Sequence, residues 1–330
     1  MKRLLKILGI LLLLIALAVA GAIGYVTAAL PDIDAPAGLK VELTPERIER
    51  GRYLANSVCV CMDCHAQRDW DLFAGPPKPG TAGAGGDKFD RSMNFPGEFY
   101  AKNITPYALK EWTDGELYRA ITSGVSKDGH PFFPVMPYPN YGKLATDDVH
   151  SIIAYLRSLD PVRTEPYPES VIDFPVSLIM RTVPEPAQPA KRPAPGEAAH
   201  GEYLVNAAAC IECHTRSEKG ERVGEPFAGG FAFTFPNGAV LRSANITPHS
   251  TDGIGAWDRA TFIARFKQYA DSSYVPPAVA WEAGEFQTVM PWTMYGTMTE
   301  EDLGAIYDYL MALPPVAGRP EKWTPAPTGS

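Results

Sequence analysis

Cys61-Met62-Asp63-Cys64-His65 and Cys210-Ile211-Glu212-Cys213-His214 repeat one five-residue pattern, Cys-x-x-Cys-His. Two thiols at this spacing can add across the two vinyl groups of one porphyrin, and the adjacent imidazole then lies beneath the iron. Zinc would want further Cys or His donors beside each pair. A thiol–disulfide pair gives no reason for a repeated histidine. The pattern therefore predicts two covalently bound haem c groups, held by Cys61 and Cys64 with His65, and by Cys210 and Cys213 with His214.

A histidine fills one axial position of an iron and leaves the other to be supplied. Met136 and Met290 stand at matching places beyond their motifs, each followed by proline. Proline restricts the preceding residue to extended conformations, which suits a loop reaching back over a porphyrin. The expected metal ligands are thus His65 and Met136 for one iron, His214 and Met290 for the other. His130, Met294 and Met298 lie close enough in sequence to compete, while His150, His200 and His249 carry no ligand signal. A methionine ligand raises the reduction potential relative to two histidines, and two filled axial sites keep oxygen and peroxide off the metal. That combination moves single electrons.

The elements that must position these residues recur along the chain. Gly51-Arg52-Tyr53-Leu54 returns as Gly201-Glu202-Tyr203-Leu204, and Asn103-Ile104-Thr105-Pro106 as Asn245-Ile246-Thr247-Pro248. Trp112 answers Trp257, Tyr141-Gly142 answers Tyr295-Gly296, and Pro161-Val162 answers Pro315-Val316. Thr44-Pro45 is a helix start, a side-chain cap followed by proline. Thr113 or Asp114 caps a second helix, and Thr146 opens a third with Val149, Ile152, Ile153 and Leu156 at helical intervals. Thr299 opens the counterpart of the third in the second half. No stretch alternates strongly enough to argue for a sheet, so the expected class is all-α with long loops.

Residues 7–30 form an uncharged run of 24 after a tip carrying Lys2, Arg3 and Lys6. As a helix it is about 36 Å long, enough to cross a bilayer core. Ala18-Val19-Ala20 offers a cleavage site, but the run exceeds the roughly 7–15 apolar residues of a signal peptide. A retained anchor is expected, with the basic tip in the cytoplasm and the rest exported. The exported part holds 27 basic and 38 acidic residues, a net charge of −11 that argues against nucleic-acid binding. Pro184, Pro186, Pro189, Pro193 and Pro195 mark a stiff connector between the halves. The expected division is a basic tip 1–6, anchor 7–30, linker 31–43, haem domain 44–165, Pro-rich connector 166–198, haem domain 199–317 and tail 318–330.

The run from Gly201 through Cys-Ile-Glu-Cys-His-Thr, then Asn-Ile-Thr-Pro-His-Ser-Thr-Asp-Gly-Ile-Gly-Ala-Trp257 and Met-Pro-Trp292, resembles the cytochrome c subunits of bacterial membrane-bound alcohol, aldehyde and gluconate dehydrogenases. The first half is similar to dihaem cytochromes bearing Arg-Asp-Trp (68–70), Trp-Thr-Asp-Gly-Glu-Leu (112–117) and Met-Pro-Tyr. The resemblance covers about residues 45–317. It implies two tandem class I cytochrome c domains behind one N-terminal transmembrane helix, with His65, Met136, His214 and Met290 as axial ligands. It also implies a bacterial inner-membrane carrier with periplasmic haem domains, and no catalytic residues of its own. Electrons would pass between redox partners such as a quinol-oxidising complex, a dehydrogenase, a terminal oxidase or another cytochrome. Those subunits usually carry three haem domains and this chain has two. The rival class is a dihaem enzyme, a peroxidase or thiosulfate dehydrogenase, and Cys59 is the residue that supports it.

Cys59 precedes Cys61 and offers an overlapping attachment register with Cys64. The second half has Ala208 at that place and a complete motif without it, which assigns the first thioethers to Cys61 and Cys64. Cys59→Ser is expected to retain both haems by peptide mass spectrometry, and Cys61→Ser to lose or misattach the first. The reverse pattern would show that the longer register is used.

Overall fold

The computed structural model describes residues 1–327. Helix α1 (Lys2–Ala29) buries none of its residues and is long and apolar enough to cross a membrane. Of the expected tail, Thr328, Gly329 and Ser330 lie outside the described residues.

The first half is built from α2 (Pro45–Tyr53), α3 (Asp114–Ser123) and α4 (Thr146–Ser158). The second half repeats them as α5 (Ala198–Ala207), α6 (Arg259–Lys267) and α7 (Glu300–Met311). The starts follow the local chemistry. Thr44 accepts from the Arg47 N–H with Pro45 in first place, Thr113 and Glu116 form a reciprocal capping box, and Thr299 accepts from the Asp302 N–H.

In each half the first helix packs across the last, α2 on α4 and α5 on α7. Both crossings run through glycine. A Cβ on Gly51 would stand 1.8 Å from the Ser151 carbonyl oxygen, and one on Gly201 would stand 2.1 Å from that of Ala305. The buried face of α4 is the one its helical spacing predicts, Val149, Ile152, Ile153 and Leu156, and α7 buries Leu303, Ile306 and Leu310.

The all-α expectation needs one correction. Eight strands of two to four residues occur among the described residues, in sheets ordered β1-β2-β3 (Lys88–Phe89, Gly97–Tyr100, Val171–Ile172), β4-β5 (Ser217–Glu218, Glu221–Arg222) and β6-β7-β8 (Ala232–Thr234, Val240–Arg242, Trp323–Thr324). Segments this short cannot register as alternation in sequence. They staple the long loops and hold part of the tail, through Trp323 opposite Leu241.

One further difference separates the halves. Ten positions lead from Gly51 to Cys61 and nine from Gly201 to Cys210. The extra residue is absorbed in a π-helical turn, Leu54–Val58, where the Cys59 N–H bonds the Leu54 carbonyl at 2.7 Å; Ala208 bonds Leu204 one residue closer. Beyond it Cys59 and Ala208 are equivalent.

The halves exchange hydrogen bonds reciprocally. Tyr203 of α5 donates to Asp148 of α4 at 2.7 Å and accepts from the Ala145 N–H at 3.0 Å. Tyr53 of α2 donates to Asp302 of α7 at 2.5 Å and accepts from the Thr299 N–H at 3.2 Å. Asp148 is fully buried and also meets Arg50 at 2.9 Å and Arg192 at 2.8 Å. Burial pushes its carboxyl up, but the Arg50 guanidinium and the tyrosine hydroxyl outweigh that and hold it below the usual range. Asp302 meets Nε2 of buried His200 at 2.7 Å. Met294 and Met298, competitors for the iron in sequence, are buried in the shared core.

Gly51→Ala and Gly201→Ala are expected to destabilise the protein by about 2–3 kcal/mol each, as overpacking against backbone does. Denaturant unfolding measures this, and unchanged stability would mean the helices do not cross at these glycines.

Candidate haem sites

Each Cys-x-x-Cys stretch is one helical turn, Cys61–Cys64 and Cys210–Cys213. That winding turns both thiols of a pair to one side. The histidine N–H closes each turn on the first cysteine's carbonyl, at 3.0 Å for His65 and 2.9 Å for His214. Entry is through a left-handed residue that is not glycine, Val60 at φ 46° and Ala209 at φ 51°. This is a costly conformation for β-branched Val60, and such strain persists where the surroundings over-determine it.

The imidazoles are oriented alike. Nδ1 of His65 lies 2.7 Å from the Lys102 carbonyl oxygen, and Nδ1 of His214 lies 2.8 Å from that of Ala244. A carbonyl only accepts, so the proton sits on Nδ1 and Nε2 keeps its lone pair. Burial lowers both histidines below the usual range despite the opposing carbonyl bond, which favours the neutral form. Among the described residues no three His, Cys, Asp or Glu side chains converge, so a zinc site lacks its donors. The residues fit a haem.

The Asn-Ile-Thr-Pro landmarks fix those carbonyls. Asn103 Oδ1 accepts from the Thr105 N–H at 2.9 Å and hydroxyl at 2.7 Å, while its Nδ2 donates to the Val162 carbonyl at 2.8 Å. Asn245 makes the same three bonds to Thr247 and Val316, at 2.9, 2.7 and 2.8 Å. The Pro-Val repeats therefore mark where the chain leaving the last helix is tied to the loop that orients histidine.

Met136 and Met290 are half-buried and pack against the core. Each opens a tight turn around its proline, at φ −78°, ψ 53° for Pro137 and φ −79°, ψ 63° for Pro291. The N–H two residues on returns to the methionine carbonyl at 2.7 Å and 2.8 Å. These are inverse γ-turns. The tyrosine of each Tyr-Gly pair then binds the methionine loop to the motif. Tyr141 donates to the Cys59 carbonyl and Tyr295 to the Ala208 carbonyl, both at 2.9 Å. Repetition of Tyr-Gly was the sequence signal; its role emerges only in three dimensions. Tyr138, next to Pro137, is buried with its hydroxyl unpartnered among the described residues.

The remaining candidates lie elsewhere. His130 is exposed in the turn closed by the Ser126 N–H at 2.8 Å. His150 packs edge-on to Tyr118, and His249 folds onto its own loop at Asp252. Cys59 is 3% exposed, a core thiol pushed well above its usual range by burial. Arg68 entered the sequence reading only within the Arg-Asp-Trp landmark; in the structure it lies buried against Asp63 at 3.0 Å and Asp87 at 3.7 Å and over the Trp70 ring at 4.1 Å. Burial pushes Asp87 up to about 7, so this guanidinium only partly offsets its two carboxyls.

Asn103→Ala and Asn245→Ala are expected to cost about 1–3 kcal/mol each, because buried partners are left unpaired. Each should also shift the reduction potential of one haem and not the other in a redox titration. Equal shifts of both would refute independent histidine supports.

Comparison with known proteins agrees with this geometry. Residues 198–314 match the family described as "Cytochrome c". The chain is 29% identical over 306 residues to the cytochrome c subunit of alcohol dehydrogenase (quinone) from Komagataeibacter europaeus, covering 85% of this chain and 59% of that subunit. It is 26% identical over 283 residues to the gluconate 2-dehydrogenase cytochrome c subunit of Pantoea cypripedii, covering 81% and 59%. A diheme cytochrome c-type protein of Cereibacter sphaeroides is 25% identical over 269 residues, covering 78% and 82%. The chain thus spans about three fifths of the dehydrogenase subunits it matches. Residues 198–314 are a cytochrome c domain, which implies covalent haem c and electron transfer, and the chain is homologous to the cytochrome c subunits of dehydrogenases.

Proposed function

We propose that this chain is a membrane-anchored, dihaem c-type cytochrome that carries single electrons in the periplasm, with 44–165 and 199–317 as tandem class I cytochrome c domains. The observation that carries this reading is the point-by-point equivalence of the two halves. Left-handed entry, helical motif turn, carbonyl-bound histidine, proline γ-turn after methionine and tyrosine tie occur in the same order in each. Cys61, Cys64, Cys210 and Cys213 would hold the two haems through their thiols, and His65 with Met136 and His214 with Met290 would ligate the irons.

The bound haems supply one-electron exchange at iron. The protein's part would be to hold Nε2 unprotonated, to fix the methionine loops by their tyrosine ties, and to keep water from the core between the halves. The donor is a dehydrogenase or a quinol-oxidising complex, and the acceptor a terminal oxidase or another cytochrome. The relatives' names, cytochrome c subunits of dehydrogenases acting on alcohol and gluconate, support the dehydrogenase. Burial of Cys59 removes the feature that favoured a redox enzyme.

A pyridine haemochrome assay is expected to find two haems per chain that resist acid–acetone extraction. Met136→Ala and Met290→Ala should each lower the potential of one haem and open it to carbon monoxide. One haem per chain, or variants no more reactive than the parent, would sink this assignment.

A further inference from the structure

Beyond the end of α1, eight large apolar side chains are well exposed among the described residues, and four of them, Val171, Phe174, Ile179 and Val183, fall within thirteen residues of the connector. Phe174 is 77% exposed and Ile179 55%. Isolated exposed apolar residues need no explanation, but a cluster of this kind does.

The patch sits at the outer end of α1. The turns Val176–Ile179 and Met180–Thr182 pack against α1. Arg181 donates to the Leu30 carbonyl, just past the end of α1, at 2.7 Å. Tyr25 is exposed one turn before that end, where tyrosine marks the boundary of the apolar layer. Leu30 lies five residues on, about 8 Å along a helix, which is the depth of a headgroup layer.

The connector is also fixed to the first half. Val171–Ile172 pairs with Gly97–Tyr100, and Arg91 donates from Nε to Asp173 at 2.8 Å. Arg119 holds the linker through the Ile33 carbonyl at 3.1 Å, and the Val41 N–H donates to Asp114 at 2.9 Å. The apolar residues are therefore presented by a braced loop whose place relative to α1 is set.

We infer that Phe174, Ile179 and their neighbours dip into the lipid interface beside α1, as a second membrane contact that seats the first half on the bilayer. The occupant is the bilayer surface, argued from continuity with the span. The inference rests on the reading of α1 as a retained anchor. With two contacts the first half cannot swing about α1, and one face of it stays turned to the membrane.

The test uses the full-length holoprotein in vesicles of phosphatidylethanolamine and phosphatidylglycerol. Nitroxide labels are placed singly through Phe174→Cys, Ile179→Cys or, as a remote exposed control, Val275→Cys, in a Cys59→Ser background. Unchanged visible spectra verify folding. Oxygen should broaden the labels at 174 and 179 more than a nickel chelate does, with the opposite order at 275. Carbonate-washed vesicles that keep the protein but report water at 174 and 179 would overturn the interfacial contact and leave the anchor standing. Protein lost in the wash would overturn the anchor and this inference with it.

Discussion

Close approach of two helices at a residue without a Cβ is the constraint on which each half rests. α2 can lie on the Ser151 carbonyl only because position 51 is glycine, and α5 on that of Ala305 only because position 201 is. Two residues beyond each glycine, Tyr53 and Tyr203 leave the crossing toward the opposite half. Their acceptors, Asp302 and Asp148, lie in the first turns of α7 and α4. One contact thus closes a half and aims the groups that join it to the other.

From the crossings the support runs outward to the sites through backbone atoms. The chain leaving α4 binds Asn103, Asn103 holds its loop, and the Lys102 carbonyl of that loop sets the His65 proton. Independently, Tyr141 hangs the Met136 loop from the Cys59 carbonyl. Histidine and methionine are thereby referred to the same short stretch around the motif. A carbonyl that accepts from Nδ1 fixes the tautomer and direction of the imidazole.

Much of this was legible in the sequence. Caps and helical spacing located the long helices, because Thr44-Pro45, Thr113 with Glu116, and Thr299 satisfy end groups locally. The repeated landmarks put Met136 and Met290 at matching places, and both pack against the core. What stayed hidden depends on distant partners. Strands of two residues show no period, His200 gave no sign of the carboxylate 102 positions away, and the tie from Tyr295 to Ala208 spans 87. Proline in the connector suggested stiffness, whereas the exposed cluster there becomes visible only once α1 is found beside it.

The π-helical turn at Leu54–Val58 gives the repeat its handedness of parts. With the extra residue, Ser57 meets Thr297 hydroxyl to hydroxyl at 2.7 Å, whereas Asn206, at the matching place in the second half, donates to a different position, the Asn140 carbonyl, at 2.9 Å. Arg50 and Arg192 neutralise Asp148 where a single His200 faces Asp302. The pair behaves as a heterodimer written into one polypeptide. Two copies of either half would duplicate one set of contacts and leave the other set without its complement, so the halves are not interchangeable despite their common plan.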